Sequence, residues 1–407
     1  RSFEEMSPAS DKFPVLVVLN PNAGRKEGRM QYDQVVKPCL DSFGSPSRLI
    51  ETTSPGYAQS YFKDNIQQIL IELCQSLAEA SNDSGVDNNV AAPSAILSAA
   101  LIAVTLRIMV IGGDGTVHEI INGILQGLPS AFISGPVGPK IEFSIVPLGT
   151  GNAIATSLGI DTVPSAINRF TDGTPTPLRL IKVSTRSNDN SYPGSDQTNL
   201  SDWKDLVYTA VVNSFGLHCA TVHESESYRI LGNTRFKMAA LKNILFLKQY
   251  KARIDFFGPV QRYDRTLREL VTVGNDPVEE HSSTANPSLT LSGPFTYLMF
   301  SKQASLEPGF KPTPLASTSD DWMDVLAVQN VGRSQILRVL DGATKDGQHM
   351  DHESVDYFKT KIIELETPSR GRLCVDGEFL DIEAGPQGRI RFEVGQHPSL
   401  QLFYVRS

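Results

Sequence analysis

Cysteine is scarce in this chain. Only Cys39, Cys74, Cys219 and Cys374 occur in 407 residues, far apart and at no spacing that holds a metal. That excludes a cysteine-type metal site and gives a reduced, cytoplasmic compartment as the expectation. Strongly apolar runs of about 20 residues, the length a membrane span needs, are missing as well. The longest uncharged stretch, Asn88 to Leu106, is rich in Ala and Ser and contains Pro93, so it predicts an inserted loop leading to a short helix. The chain starts at Arg1 without a methionine and shows no charged-then-apolar signal segment, as expected of a piece of a longer protein. There is no basic stripe either. With a net charge of -8, the chain is not expected to bind nucleic acid non-specifically. No internal repeat is evident.

What is present is enough for two cores. A chain of 407 residues exceeds what one hydrophobic core supports, and its 40 % hydrophobic content is ordinary for a globular protein. Residues 1 to 12 read as a flexible lead-in. Residues 13 to 174 alternate apolar runs with helical patterns and read as an α/β domain. From Leu178 onward short runs of alternating apolar and polar residues dominate, as in half-buried antiparallel strands, so residues 175 to 407 read as a β-rich second domain. Asn82 to Pro93, Arg186 to Ser201 and Val278 to Pro287 have the composition of surface loops.

The most informative stretch is Leu106 to Leu125, LRIMVIGGDGTVHEIINGIL. An apolar strand-like run breaks into Gly112-Gly113-Asp114-Gly115-Thr116, and Val117, Ile120, Ile121, Ile124 and Leu125 then recur at helical spacing. Glycines let backbone N–H groups approach an anion, and the helix N-terminus adds partial positive charge, so the loop suits phosphate. An acid there repels bare phosphate. Asp114 makes sense as a metal ligand or as the acceptor of a proton from a nucleophile, and both uses point to phosphoryl transfer. Two more units repeat the pattern. FPVLVVLN runs into Pro21-Asn22-Ala23-Gly24-Arg25-Lys26, and FSIVP into Leu148-Gly149-Thr150-Gly151-Asn152-Ala153 before a helix-like IATSLG. Three such loops would meet at one sheet edge, where open α/β sheets bind ligands.

At this point the chain resembles the diacylglycerol kinase catalytic domain superfamily, and within it most resembles the sphingosine kinases. The residues that carry the resemblance are LNPNAGR (Leu19 to Arg25), GGDGTVHEIINGI (Gly112 to Ile124), PLGTGNA (Pro147 to Ala153), ESESYRILGNTRF (Glu224 to Phe236) and VDGE (Val375 to Glu378). The resemblance implies an ATP-dependent lipid kinase. Its α/β domain binds the nucleotide, a C-terminal antiparallel β-sandwich carries the lipid pocket, and the active site lies in the cleft between them. It further implies a lipid substrate, Mg²⁺, and transient peripheral contact with a membrane surface; a homodimer is a candidate assembly.

Residue by residue, the resemblance assigns Asp114 as the base and gives Mg²⁺ to Asp376 with Asp114. Arg229 and Arg235 would contact ATP phosphates, Glu226 the adenine amino group, and Gly377 and Glu378 would lie near the nucleotide. Asn20, Asn22, Thr52, Gly112, Gly113, Gly115, Thr116, Glu119, Gly149, Thr150, Gly151 and Asn152 complete the candidate nucleotide site. Local readings compete. Asp114 suits a Gly-Asp-Gly turn, Thr116 to Glu119 fits an S/T-x-x-E capping box, and Asp376-Gly377 is a strong hairpin signal. Glu224 to Arg235 reads as one helical stretch whose charges pair poorly along the helix, which favours external partners. His118 reads as an exposed or hydrogen-bonded helix residue.

The acceptor side departs from the sphingosine kinases. Ala220 and Val222 stand where those enzymes carry acids, and neither binds an ammonium. His218, His223 and Glu224 are near enough in sequence to substitute, with His223 taken with Ala220 and Val222 as the candidate substrate residues. NAD kinases and phosphofructokinase-like proteins share a GGDG loop but would not explain ESESYRILG or the late VDGE. A diacylglycerol or other neutral-lipid kinase, and a lipid-binding regulatory pseudokinase, remain as alternatives.

Overall fold

The computed structural model describes residues 15–44, 46–82, 104–129, 132, 138–186, 203–228, 234–273, 286–394 and 402–407. These form two compact units, one closing at Leu178 and the next beginning at Arg179. The expected lead-in, the loop Asn82 to Pro93 beyond Asn82, and nearly all of the other two expected loops lie outside the described residues.

In the first unit the described strands form a six-stranded sheet in the order Ser47–Glu51, Val15–Leu19, Thr105–Gly112, Lys140–Pro147, Phe403–Arg406, Pro175–Pro177. The first five pair in parallel. Val15–Leu19 is buried throughout, and Lys140–Pro147 at all but its ends, the near-continuous apolar pattern of a parallel sheet covered on both faces. Register decides where the loops emerge. Leu19 lies opposite both Glu51 and Ile111, and Gly112 lies opposite Pro147, so the chain leaves all four strands at one edge. Val117, Ile120, Ile121, Ile124 and Leu125 are buried along the helix Asp114–Gly127, as their spacing predicts.

One boundary differs from the expectation. A second domain running from 175 to 407 would include the C-terminal strand, yet Phe403–Arg406 pairs in parallel with Lys140–Pro147 and antiparallel with Pro175–Pro177. The first unit therefore takes back the chain end. Arg406 is anchored there, its guanidinium donating to Glu142 at 3.2 Å and to the Gly173 carbonyl at 3.0 Å.

The second unit is antiparallel, with twelve described strands joined in one hydrogen-bonded network. Its hub is Val355–Glu366. One side of this strand pairs with Arg253–Asp264, while the other passes from Met323–Gln329 to Ile390–Val394. The core is apolar and aromatic, with Phe256, Phe295, Phe300, Phe358 and Phe392 fully buried. DLVYTAVVNSFG, which reads as one strand, is two. Trp203–Thr209 and Val212–Gly216 are separated at Ala210 and Val211, whose amides point at another residue, described below. No helix among the described residues is long and apolar enough to cross a membrane.

Candidate functional site

The three glycine loops of the first unit lock into one another. Gly24 has φ +52°, and a Cβ there would collide with the Leu148 carbonyl oxygen. Gly113 and Gly149 approach so closely that a Cβ on Gly149 would lie 2.6 Å from the Gly113 Cα. Only residues without a Cβ allow this convergence. Hydrogen bonds close the junction. The amides of Leu148 and Gly149 donate to the Gly112 carbonyl at 3.0 and 3.1 Å, and the Asn20 amide donates to Ile111 at 2.9 Å. Asn20 Nδ2 donates to Thr116 Oγ1 at 3.2 Å, and Asn20 Oδ1 accepts from the Asn22 amide at 3.0 Å. Asn152 sits at φ +54°, where asparagine is tolerated, and its amide group exchanges two 2.8 Å bonds with Gly149. Thr52 joins the same edge through its amide, 2.9 Å from the Leu19 carbonyl. Thr150 and Gly151 are half-buried in the loop, and Gly115 is exposed with open space around it.

Asp114 opens the helix Asp114–Gly127 but serves a different one. Its Oδ2 accepts from the Ala153 amide at 2.7 Å and its Oδ1 from the Ile154 amide at 3.2 Å, capping the start of Ala153–Ser157. The GGDG loop thereby sets the position of the GTGN loop. Glu119 repeats the device. Its two oxygens accept from the amides of Gly56 at 2.9 Å and Ala58 at 3.1 Å, at the start of the helix Tyr57–Asn82. The expected Thr116–Glu119 capping box is therefore not formed. The helix starts at Asp114 with Gly113 at the cap, which places Thr116 inside the first turn. His118 is buried, and of its two expected readings the hydrogen-bonded one holds: its carbonyl accepts from Asn122 Nδ2 at 2.9 Å.

In the second unit Asp376 and Gly377 form the tight turn between Gly371–Val375 and Glu378–Ile382, with φ +49° and +97°. Two positive φ values are the signature of a type I′ hairpin turn, for which Asp-Gly is a preferred pair. The Asp376 carboxylate accepts three amides: Oδ2 from Ala210 at 2.7 Å, Oδ1 from Val211 at 2.9 Å and from Val212 at 2.8 Å. This is the group that breaks DLVYTAVVNSFG in two. Glu378 is exposed at the turn.

The stretch Glu224 to Arg235 is not one helix. The helix Leu217–Ser225 gives way to a short 3-10 turn at 226–228, and Arg235–Leu245 is the next helix among the described residues. Arg229 lies outside the described residues. The charges that pair poorly along one helix pair across elements instead: Glu224 with Lys242 at 2.5 Å, and Glu226 with Arg235 at 3.5 Å. Sequence spacing tests only near neighbours, so these partners were missed.

A cavity of about 820 Å³ opens in the second unit between these two helices and the hairpin 371–382. Ala220, His223 and Glu224 line it, together with Asn243, Arg370 and Asp381. Val222 and His218 are not among its lining residues. His218 Nδ1 lies 2.7 Å from Ser214 Oγ, its ring meets Tyr297 edge to face, and burial pushes its pKa down to about 4. It is neutral at physiological pH. The sequence also gave no sign of a buried charge cluster beside the strand Phe295–Ser301. Lys302 is fully buried and donates to the Asp320 carbonyl at 2.6 Å, to Asp320 Oδ1 at 2.9 Å and to the Trp322 carbonyl at 2.6 Å. Lys359 bridges Asp320 at 2.9 Å and Asp324 at 3.1 Å.

Comparison with known proteins agrees with this architecture. The diacylglycerol kinase catalytic domain matches residues 14–183, and the YegS C-terminal NAD kinase beta sandwich-like domain matches residues 297–387. Sphingosine kinase 1 of Arabidopsis thaliana is 22 % identical over 384 residues, covering 90 % of this chain and 68 % of that protein. The diacylglycerol kinase of Bacillus subtilis is 22 % identical over 328 residues, covering 80 % of this chain and 88 % of its own. A solved structure described as a putative diacylglycerol kinase from Bacillus anthracis superposes with a TM-score of 0.59 at 17 % identity, covering 100 % of this chain and 98 % of that one, a likeness of fold.

Proposed function

The chain belongs to the diacylglycerol kinase catalytic domain superfamily, and from that premise we propose that it transfers the γ-phosphoryl group of ATP to a primary hydroxyl of a sphingoid base or related lipid. The observation that carries the reading is the junction of three glycine loops, cross-bonded at the edge of a parallel sheet where open α/β sheets bind ligands. Phosphoryl transfer needs positioning and charge stabilisation more than covalent chemistry, and the cross-bonded loops provide the first. Asp114 is proposed as the base that takes the hydroxyl proton. Its two amide bonds fix where its oxygens stand.

Among the described residues no group of three or more His, Cys, Asp or Glu is placed to hold a metal. Mg²⁺ commonly takes one or two carboxylates and completes its shell with substrate phosphates and water, so a sparse carboxylate set fits it. Asp114 and Asp376 are proposed as its protein ligands, and when bound it would neutralise charge on the β- and γ-phosphates. Asn20, Asn22, Thr52, Thr116, Glu119 and the 149–152 loop are proposed to contact the nucleotide, with Glu226, Arg229, Arg235 and Glu378 contributing from the second domain.

Asp114→Asn tests the reading. Loss of a general base lowers turnover by about 10²- to 10⁴-fold. Because the same carboxylate caps Ala153–Ser157, the variant should also lose about 1–2 kcal/mol of stability. Thr162→Ala removes a cap of the same kind, Ser165 amide to Thr162 Oγ1 at 3.2 Å, away from the junction. If both variants lose turnover equally, Asp114 is only a cap. A neutral acceptor such as diacylglycerol is the second reading, favoured by Ala220 in the cavity wall and by the engagement of Glu224 with Lys242.

A further inference from the structure

The three amides that meet Asp376 are aimed from behind. A peptide unit is planar, so its N–H and its C=O point opposite ways, and gripping the carbonyl directs the amide. The Val211 amide, which donates to Asp376 Oδ1 at 2.9 Å, shares its plane with the Ala210 carbonyl, and that carbonyl accepts from Gln303 Nε2 at 2.8 Å. The Val212 amide reaches the same oxygen at 2.8 Å. It shares its plane with the Val211 carbonyl, which accepts from Ser301 Oγ at 3.0 Å and from the Lys302 amide at 2.9 Å. The segment 210–212 is thus clamped between the Asp376 turn on one side and Ser301, Lys302 and Gln303 on the other.

Gln303 is itself locked. It is fully buried, its Oε1 accepts from Thr318 Oγ1 at 2.9 Å, and its backbone carbonyl accepts from Thr313 Oγ1 at 2.8 Å and from Ser301 Oγ at 2.9 Å. A carbonyl only accepts, so the NH₂ end of the side chain faces Ala210 and the oxygen end faces Thr318. A methionine of similar size would serve packing alone. What the amide adds is direction.

We propose that Gln303 is a positioning residue: through the Ala210–Val211 peptide it fixes where Asp376 Oδ1 stands, and so sets the affinity with which Asp376 holds a divalent cation. The inference rests on the metal role proposed for Asp376 in phosphoryl transfer. Gln303 acts from behind the segment and only through it. Partners that orient a metal ligand in this way change metal affinity or activity by about 10- to 100-fold when they are altered.

The test compares Gln303→Met in the full chain with Thr318→Val, which unlocks the glutamine amide, and with Phe256→Leu, a core change on the strand Arg253–Asp264 of the same unit. Amide hydrogen exchange without nucleotide should speed up at Ala210, Val211 and Val212 by about tenfold or more in Gln303→Met and stay unchanged there in Phe256→Leu. Binding of Mn²⁺ with a non-hydrolysable ATP analogue, followed by electron paramagnetic resonance, should weaken about tenfold in Gln303→Met, less in Thr318→Val and not in Phe256→Leu. Turnover should follow: the Mg²⁺ needed for half-maximal rate rises by the same factor, while kcat at saturating Mg²⁺ stays within about threefold. If Gln303→Met does not fold, Thr318→Val carries the same comparison. Faster exchange with unchanged Mn²⁺ affinity would overturn the proposal and leave the clamp a matter of stability. So would an equal loss of affinity in Phe256→Leu. A wild type that neither binds Mn²⁺ nor phosphorylates lipid sinks the kinase reading itself, whereas unaltered variants of an active wild type sink only the role of Gln303.

Discussion

Asp376→Asn measures how much the three-amide cradle at Ala210, Val211 and Val212 contributes to the second unit. Asparagine keeps one carbonyl oxygen and turns an NH₂ group toward at least one of the three N–H donors. A donor left without an acceptor costs about 1–3 kcal/mol, and the surviving bonds fall from the charge-assisted range of roughly 1.5–3 kcal/mol toward 0.5–1.5 kcal/mol. The sum is a loss of about 2–4 kcal/mol. Asparagine tolerates the φ of +49°, so backbone strain does not enter. Asp376→Ala loses the same carboxylate and also the polar side chain that lets Asp and Asn tolerate the left-handed region, a further cost of roughly 1–2 kcal/mol, whereas Asp376→Gly loses the carboxylate without that strain. Urea unfolding of the three variants should therefore rank alanine as the least stable. A loss below about 0.5 kcal/mol in Asp376→Asn would refute the reasoning, since that is the scatter of an ordinary surface change. Titrating Mg²⁺ against turnover separates the second role: a raised requirement supports a metal ligand, and an unchanged one assigns Asp376 to the turn alone.

Three further outcomes are expected. Lys302→Met should destabilise by about 3–5 kcal/mol in urea melts, because it strips a fully buried cation from Asp320 and two carbonyls; a change under about 1 kcal/mol would refute this. Burial lifts the Asp324 carboxyl to about 6 although Lys359 and Tyr357 hold its charged form. The native state thus binds this proton more tightly than the unfolded chain, so the stability it contributes is present below about pH 4 and lost as pH rises through 6. Wild type measured against Asp324→Asn should lose up to about 3 kcal/mol between pH 4 and 6, and a flat difference contradicts the assignment. For the acceptor, kcat/KM on ceramide and diacylglycerol should lie within about tenfold of that on sphingosine, a gap of roughly 1.4 kcal/mol, and a preference for sphingosine above about a hundredfold would sink the idea.

Much of the first unit was legible because its signals are local. An apolar run, a glycine turn and an amphipathic helix are contiguous in sequence, so Thr105–Gly112 and Asp114–Gly127 could be read directly, and likewise the strands Val15–Leu19 and Lys140–Pro147. The hairpin at Asp376-Gly377 was legible for the same reason, since two positive φ values demand that kind of residue pair. The helical reading of Glu224 to Arg235 failed because a mixed run of charges carries no apolar period.

By itself the sequence determined which loops exist, which residues they hold, and that three of them leave parallel strands. Only the tertiary structure decided what their acids do. Asp114 binds amides 39 and 40 residues away, Glu119 binds amides 63 and 61 residues away, and Asp376 reaches back 164 to 166 residues. The return of Phe403–Arg406 to Lys140–Pro147 and the burial of Lys302 belong to the same class. The physical reason is reach: periodicity and spacing record contacts within a turn or a hairpin, while a carboxylate takes whichever amides the folded chain brings within 3 Å or so.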